Sequence, residues 1–350
     1  MPNAQSRFFL ELHYFRAFAI VNIFFIHVWR LPSSKQFDSA SFLVAGLREL
    51  AFHGSTIYFL FISGFLFFFL ASKTFSAQRH YWRKFKYVVV PYIIWSLIAL
   101  LVSAMLDVDH RLSSQPNAWE GLKTTVHILL NGNAVFVFWF IPVIVCLFII
   151  SPFFLKLSKR SFTVVVAVAG VLPLLGTRTG ADLSVGQFLY FAPSFLFGGW
   201  VFQHYERFQF FIRRYKIPLL SVFVISSFLI VYVTYYSVSL PYIKVEESLF
   251  YIQKMAATCF VIYLLLYARQ HMGLVDLLAK FSFAIYFTHY VLYMLIAPFF
   301  FDFLESRRVY GWGSVPLSFF FSLFLLMVDL AVCVLLKKVF GRYSRVIIGS

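Results

Sequence analysis

Long apolar runs separated by short polar loops recur along the whole chain. A helix needs about 20 apolar residues to cross a bilayer, and ten runs approach or exceed that length, of which 161–176 is the shortest. The pattern predicts an all-α polytopic membrane protein with about ten transmembrane helices, in which residues 1–350 form a single transmembrane domain. The runs lie at 8–29, 51–71, 87–106, 134–155, 161–176, 184–203, 217–238, 248–268, 281–301 and 315–337.

The composition supports a membrane protein. Of the 350 residues, 61% are hydrophobic, 21% are aromatic and only 13% are charged, whereas soluble domains are nearer 25% charged. The 48 phenylalanines could not all fit inside one soluble core of this size. Cys146, Cys259 and Cys333 each lie inside an apolar run, so we interpret them as small buried hydrophobes and predict neither a disulfide nor a zinc site.

The basic residues predict an orientation in the membrane. A net charge of +16 would suggest nucleic acid in a soluble protein, but here no nucleic-acid partner is expected, because the basic residues lie in short loops. One set of loops, together with Lys337, holds 19 Lys and Arg against 2 Asp and Glu, and the opposite set holds 9 against 10. Lys and Arg favour the cytoplasmic side, so both termini should be cytoplasmic. The basic set comprises 1–7, 72–86, 156–160, 204–216, 269–280 and 338–350.

Two further features concern the outer side and the first run. The longest outer segment, 107–133, could hold a short interfacial helix and contact something polar. The first run ends in WRLPSS, which lacks the small-residue pattern of a signal-peptide cleavage site. We therefore expect that run to remain as the first transmembrane helix.

Residues 15–29, FRAFAIVNIFFIHVW, place an arginine and a histidine in an apolar helix. Eleven residues at 100° each bring Arg16 and His27 to within about 20° of one face, roughly 16 Å apart along the axis. An arginine in a span costs roughly 2.5–3.5 kcal/mol and normally faces a polar cavity. Alternatively, Arg16 extends to the inner headgroups while His27 lies at the outer interface.

Five stretches in order carry a resemblance to a known family. HYFRAFAIVNIFFIH resembles the first-helix signature of integral-membrane acyltransferase family 3, an Arg followed after ten residues by a His. The others resemble its FF-x-x-SG-F motif, its basic stretch before Pro-Tyr, its W-F-x-P segment and its S-x-x-x-Y-x-x-H helix. Taken together and in this order, the five stretches are similar to the motifs of the family over most of the chain. These four stretches are TIYFLFISGFLFFF (56–69), YWRKFKYVVVPYIIW (81–95), VFWFIPVIVCLFIISPFF (137–154) and FSFAIYFTHYVL (281–292).

One position departs from the family pattern. Many members carry an acidic residue three positions before the arginine, where this chain has His13. If the acid orients Arg16, the nearby Glu11 would have to replace it. The change resembles the branch of polysaccharide O-acetyltransferases that includes those of enterobacterial common antigen and of surface poly-N-acetylglucosamine.

The resemblance implies transfer of an acyl group, commonly acetyl, from cytoplasmic acyl-CoA to a sugar or other hydroxyl at the bacterial inner membrane. A neutral imidazole can act as a base or as an acyl carrier, so His27 and Arg16 are the candidate catalytic residues. Acetyl-CoA phosphates need fixed positive charge, which Arg16, Arg83 and Lys86 could supply. The basic cluster also fits inner-side orientation and anionic lipid binding.

Three further candidate residues each have a functional and a structural interpretation. Ser63 could donate a hydrogen bond to the donor, whereas we favour helix packing for the adjacent Gly64. His289 could pair with His27 or line the acceptor path, although a buried histidine bonded to a Ser or Tyr is equally compatible. Trp139 matches a family position for the substrate side, but tryptophan also marks membrane interfaces.

The last span contains Asp329, a carboxylate where charges are rare. It could be a catalytic acid or could pair with Lys254. The nine histidines are scattered without a close pair, so no metal is predicted.

The predicted function is therefore an acetyl-CoA-dependent O-acyltransferase acting on a glycan or lipid-linked saccharide. The partners are that acceptor and membrane lipid, and no oligomeric state is predicted. Either His27 deprotonates the acceptor for direct transfer or it carries the acyl group, and both routes stay open. The alternative is a transporter or flippase of lipid-linked saccharides, in which intramembrane Arg, His and Asp would line a path. Inverted repeats and broken helices would favour it, and the sequence shows neither.

Overall fold

The computed structural model describes residues 9–32, 39–111, 114–178, 182–268 and 272–349. In these ranges the chain forms fifteen α-helices, and its only β-type pairing is a single bridge, Leu240 to Ile243. The predicted all-α fold class is confirmed. The helices are α1 Leu10–Val28, α2 Ser39–Phe52, α3 Thr56–Ala71, α4 Ala77–Lys84, α5 Val90–Met105, α6 Ala118–Asn131, α7 Phe140–Phe154, α8 Lys159–Ala169, α9 Val185–Gln203, α10 Tyr205–Arg214, α11 Lys216–Tyr235, α12 Val245–Leu265, α13 Gly273–Ser306, α14 Ser314–Phe340 and α15 Ser344–Ile347.

Seven helical stretches of the described residues are long and apolar enough to cross a membrane, so the chain is a multi-pass membrane protein. All ten predicted runs contain helix. However, α7 has 15 residues, α8 has 11, and the 19-residue α1 carries several polar residues. The count of ten spans and the cytoplasmic termini therefore stay predictions. The seven stretches are Ser39–Ala71, Ala77–Met105, Val185–Gln203, Lys216–Tyr235, Val245–Leu265, Gly273–Ser306 and Gly311–Ile347.

Local signals define the helix that the outer segment was predicted to hold. Asn117 caps the start of α6 by accepting a hydrogen bond from the amide of Glu120, which satisfies one of the free amides of a helix start. Gly132 ends α6 with φ +76°, a conformation that favours glycine. A short helix is thus present within 107–133 as predicted, and its interfacial position stays a prediction. Helix α2 lies in a stretch that was predicted to be a loop.

The chain divides into two compact units. The first comprises Met1–Ala19, Gly54–Lys84 and Val143–Ala279, and the second comprises Ile20–His53, Phe85–Pro142 and Lys280–Ser350. The boundaries fall inside α1, α7 and α13, so these helices contribute to both units. The prediction of one domain over 1–350 stays a prediction.

The centre of the first unit is the contact between α3 and α9. A Cβ atom on Gly64 would lie 1.8 Å from the carbonyl oxygen of Phe195, and one on Gly198 would lie 2.0 Å from that of Phe61. The two backbones therefore touch, as small residues permit in membrane helices. The packing role favoured for Gly64 is confirmed.

A proline explains how α4 attaches to α7 in the first unit. Pro152 lies inside α7 and has no amide to bond Phe148 four residues earlier. The Nε2 atom of His80 lies 3.1 Å from that carbonyl oxygen, and the hydroxyl of Tyr81 donates to the next carbonyl, Ile149, at 3.0 Å. The His80 side chain of α4 thus bonds the carbonyl that the proline leaves without its helical partner, and Tyr81 adds a second contact to α7.

Within the second unit, hydrogen bonds from aromatic side chains to backbone carbonyls connect neighbouring helices. Tyr92 on α5 donates to Leu129 on α6 at 2.6 Å, and Trp95 donates to Ile347 on α15 at 3.0 Å. A π-helical turn, Phe85–Val89, precedes α5. Pro91 lies in the first turn of α5 and lacks the amide that would continue the regular ladder into that turn.

Candidate active site

The α1 helix carries the two residues that the sequence singled out first. It is continuous from Leu10 to Val28, so Arg16 and His27 keep the predicted relation along its axis. Both are half-buried, and neighbours on the helix such as Phe15 and Phe24 are fully buried. Arg16 belongs to the first unit and His27 to the second. The helix is therefore packed largely inside protein.

Two histidines come together in the second unit. The ring of His27 lies 5.6 Å from that of His289 between centroids, with 30° between the ring planes. The ring of Phe136 lies 4.8 Å from His27 in an edge-to-face arrangement. Next to this group, Arg30 Nε donates to the backbone carbonyl of His27 at 3.2 Å.

The tautomer of His289 follows from its backbone contacts. This fully buried side chain places Nδ1 2.9 Å from the carbonyl oxygens of Ile285 and Tyr286. Carbonyl oxygens only accept hydrogen bonds, so Nδ1 carries the proton and Nε2 keeps a lone pair. Nε2 has no hydrogen-bond partner in the described part of the chain. In this tautomer, His289 can offer a ligand only a hydrogen-bond acceptor.

A polar cluster lies one residue before His289. The hydroxyl of Thr288 donates to Oδ1 of Asp329 at 2.5 Å and is 3.1 Å from the carbonyl oxygen of Ala284. Cys333 Sγ is 3.8 Å from the same carboxyl oxygen, and the other oxygen has no hydrogen-bond partner within the described ranges. The cluster therefore ties α13 to α14 beside the acceptor-only histidine.

Residues 134–139 form an aromatic turn where the sequence predicted the start of a span. Helix α7 begins only at Phe140. A Cβ on Gly132 would lie 2.5 Å from the Cα of Trp139, so the turn closes tightly on itself. Tyr286 donates to the carbonyl of Val137 at 2.6 Å. The turn keeps Phe136 47% exposed, while Ala134, Val135, Val137 and Phe138 are buried.

The cations predicted for the donor lie in different parts of the chain. Arg83 is exposed on α4 in the first unit. Lys86 lies in the π-helical turn of the second unit, 5.7 Å from the ring of Tyr87. The guanidinium of Arg345 lies 4.4 Å from the same ring. Sequence reasoning missed Arg345, because nothing in its local pattern links the C-terminal tail to residue 87.

The structure also bears on the position where the family carries an acid. His13 Nε2 lies 3.3 Å from Oδ1 of Asp276, in the first turn of α13. A carboxylate therefore reaches this position from another helix. Ser63 is half-buried on α3, beside the close backbone contact of Gly64.

Within the described residues, neither a cavity in the first unit nor a metal-binding cluster adds a reactive group to the site. A cavity of about 380 Å³ in the first unit is lined only by apolar side chains of α7, α8, α9 and the turn after α8. No group of three or more His, Cys, Asp or Glu suited to a metal ion occurs in the ranges that the structure describes.

The fold and the site define a class, namely multi-pass all-α membrane proteins with two imidazoles in contact inside the protein. A family model described as an acyltransferase domain, of acyltransferase family 3, matches residues 9–336. The chain belongs to this family, as its ordered motifs predicted, and it is a membrane acyltransferase. No curated protein and no solved structure gives a significant match.

Proposed function

We propose that this acyltransferase moves an acetyl group from cytoplasmic acetyl-CoA to a hydroxyl of a cell-surface or lipid-linked glycan, at the bacterial inner membrane. The observation that carries the proposal is the 5.6 Å contact between His27 and His289 in a chain of the acyltransferase family. Acyl transfer to an alcohol requires removal of a proton, and neutral imidazole is the side chain best suited to that near neutral pH.

In the direct route, the acceptor oxygen attacks the thioester carbonyl while His27 takes the hydroxyl proton. The new C–O bond forms, the C–S bond breaks, and the proton passes from His27 to the departing CoA thiolate. In the covalent route, His27 attacks the thioester, an N–C bond forms, the C–S bond breaks, and the departing CoA thiolate takes up the imidazole proton. The alcohol then attacks the acyl-imidazole, the new O–C bond forms as the N–C bond breaks, and the alcohol proton returns to the freed imidazole. Both routes use the same residue and the same overall balance of atoms.

The other predicted residues take supporting roles in this proposal. Arg16, Arg83 and Lys86 are each a candidate cation for the donor phosphates, because guanidinium and ammonium groups form strong charge-assisted hydrogen bonds with phosphate. Ser63 donates a hydrogen bond to the acetyl-CoA. His289 and Trp139 face the glycan that receives the acetyl group. The Nε2 atom of His289, which can only accept hydrogen bonds, can accept one from a hydroxyl of that glycan.

The test uses purified full-length protein in detergent with acetyl-CoA and a mixture of methyl pyranosides as acceptor alcohols, and it measures released CoA thiol. We expect wild-type protein to release CoA, and we expect His27→Ala to lower the rate by about 10²–10⁴-fold, the usual contribution of a general base. His127→Ala is the matched control, because His127 is exposed on α6. Absence of any CoA release, or near-normal release by His27→Ala, would contradict the proposal.

A second measurement separates the two routes. Labelled CoA and unlabelled acetyl-CoA are incubated with the protein in the absence of acceptor. Exchange of label into acetyl-CoA is expected only if His27 carries the acetyl group. A transporter would show no exchange, and it would move lipid-linked saccharide without any donor.

A further inference from the structure

Three aromatic side chains of the second unit form a continuous group beside His27. Phe136 contacts His27 at 4.8 Å on one side and Tyr290 at 4.8 Å on the other, both edge to face. Tyr290 in turn stacks on Tyr293 at 5.7 Å with 30° between the rings. We call Phe136, Tyr290 and Tyr293 the aromatic shelf. Phe136 is the member of the shelf that contacts the candidate reactive imidazole of His27.

The exposure of Phe136 needs an explanation. Its four neighbours in the turn are buried, and the turn is pinned by the bond from Tyr286 to Val137. The fold therefore does not need the Phe136 ring for packing, yet it holds the ring in one place with 47% of its surface accessible. Rigid support around an accessible ring is the arrangement expected of a binding surface.

The neighbours of Phe136 argue against a ring that simply faces lipid. Next to the ring are the imidazole of His27, the phenol ring of Tyr290, and the guanidinium of Arg30 at 5.9 Å from the ring centroid. A guanidinium is costly in the hydrocarbon core of a bilayer, so a ring beside Arg30 does not face that core. An apolar ring bordered by a few fixed polar groups instead fits a ligand that has an apolar face and polar edges.

We propose that the aromatic shelf is the docking surface for a pyranose ring of the acceptor, and that Phe136 determines acceptor specificity. One face of a pyranose presents C–H bonds, which suit the negative face of an aromatic ring, and its rim presents hydroxyls. The rim hydroxyls can meet the phenols of Tyr290 and Tyr293 and the guanidinium of Arg30. A ring seated on Phe136 brings a hydroxyl to His27. The inference rests on the acyl-transfer function proposed above.

The experiment measures binding without any donor, so it does not depend on catalysis. Saturation-transfer NMR is recorded on the full-length protein in detergent with methyl glycosides of glucose, galactose and N-acetylglucosamine. Sorbitol serves as an open-chain polyol that has hydroxyls but no ring face. We expect at least one pyranoside to bind, and sorbitol to bind much more weakly.

Phe136→Leu should raise the Kd of that pyranoside about tenfold, which corresponds to about 1.4 kcal/mol, while Phe136→Trp should bind about as well as wild type. The matched control is Phe299→Leu on α13, since Phe299 is also exposed, at 75%, and lies outside the shelf. Equal binding of sorbitol, no pyranoside binding by wild type, or an unchanged Kd in Phe136→Leu would overturn the inference.

A parallel acetyl-CoA assay on the same preparations keeps the two proposals distinguishable. Binding that depends on Phe136 without CoA release would retain the shelf and refute the proposed function. CoA release without Phe136-dependent binding would retain the function and refute the shelf.

Discussion

The helix pairs α3–α9 and α13–α14 are both buried contacts, but they are built in opposite ways. The first brings backbones together at Gly64 and Gly198, where side chains are absent. The second contains a hydroxyl, a carboxyl and a thiol at Thr288, Asp329 and Cys333. The residues of each contact lie within one unit.

The difference separates what the fold needs from what the site needs. A glycine contact gains close packing and costs no desolvation of polar groups. A buried carboxyl group is expensive to remove from water even when it is hydrogen-bonded. The polar cluster is therefore not the simplest way to join two helices, and its place next to His289 indicates a functional reason.

The largest expected effect is on the glycine contact. In Gly64→Ala, the added methyl group would lie 1.8 Å from the carbonyl oxygen of Phe195, so the backbones must separate. We expect a loss of more than about 4 kcal/mol of stability, seen as loss of monodisperse protein and a much lower Tm. Gly121→Ala in α6 is the control, because nothing lies within 4 Å of its Cβ position. It should be neutral or stabilise by about 0.5–1 kcal/mol.

The second-largest effect is expected on acetyl transfer and not on the stability of the protein. His289→Phe keeps a buried ring of similar shape but removes the Nε2 acceptor. We expect acetyl transfer to fall about 100-fold, within the range for loss of a proton-handling group, with little change in Tm. A variant that unfolds more easily but transfers acetyl normally would show that His289 serves the fold alone.

A smaller effect tests whether the Thr288–Asp329 hydrogen bond acts as a unit. Thr288→Val leaves a buried carboxyl oxygen without its donor, which should cost about 1–3 kcal/mol. Adding Asp329→Leu removes both polar partners and should recover most of that loss. The measurement is a double-mutant cycle on thermal unfolding. Strictly additive effects would show that the two side chains are independent.

The smallest effect is expected at a partly exposed ion pair. The guanidinium of Arg111, which also donates to Asn133, holds the pKa of Asp109 below its usual range. A lowered folded-state pKa stabilises the protein above the unfolded value of about 3.9, and this gain is lost as the pH falls through the folded value. Asp109→Asn should cost at most about 1 kcal/mol at pH 7. Near pH 2 the two proteins should unfold alike, whereas an equal difference at both pH values would exclude the ion pair as the cause.

The sequence predicted features that depend on local periodicity. The apolar runs located the helices, and the helical repeat placed Arg16 and His27 on one face, because both follow from residues close together in the chain. Helix α6 was also predictable, from the length of its segment and the polar setting of that segment. The ordered motifs identified the family, which the match over residues 9–336 confirms.

Contacts between distant segments were not predictable in this way. An apolar residue pattern reports that side chains leave water, but not which helix they meet. Nothing near Asp329 indicates that its partner is Thr288, and nothing near His13 indicates Asp276. The turn at 134–139 was predicted to be helical, because its residues are apolar. Its shape depends on Gly132 and on a hydroxyl from Tyr286.

The short length of α7 has a consequence for how water meets this protein. Its 15 residues rise only about 22 Å, against roughly 30 Å of hydrocarbon in a bilayer. If α7 crosses the membrane, the non-helical turn before it supplies the missing depth, and such backbone is tolerated there only inside protein or beside an aqueous cavity. Four residues of that turn are buried inside protein, and the Phe136 ring is the accessible part. If this ring lines an aqueous cavity, as the docking surface proposed above requires, a hydrophilic sugar reaches His27 without first dissolving in lipid.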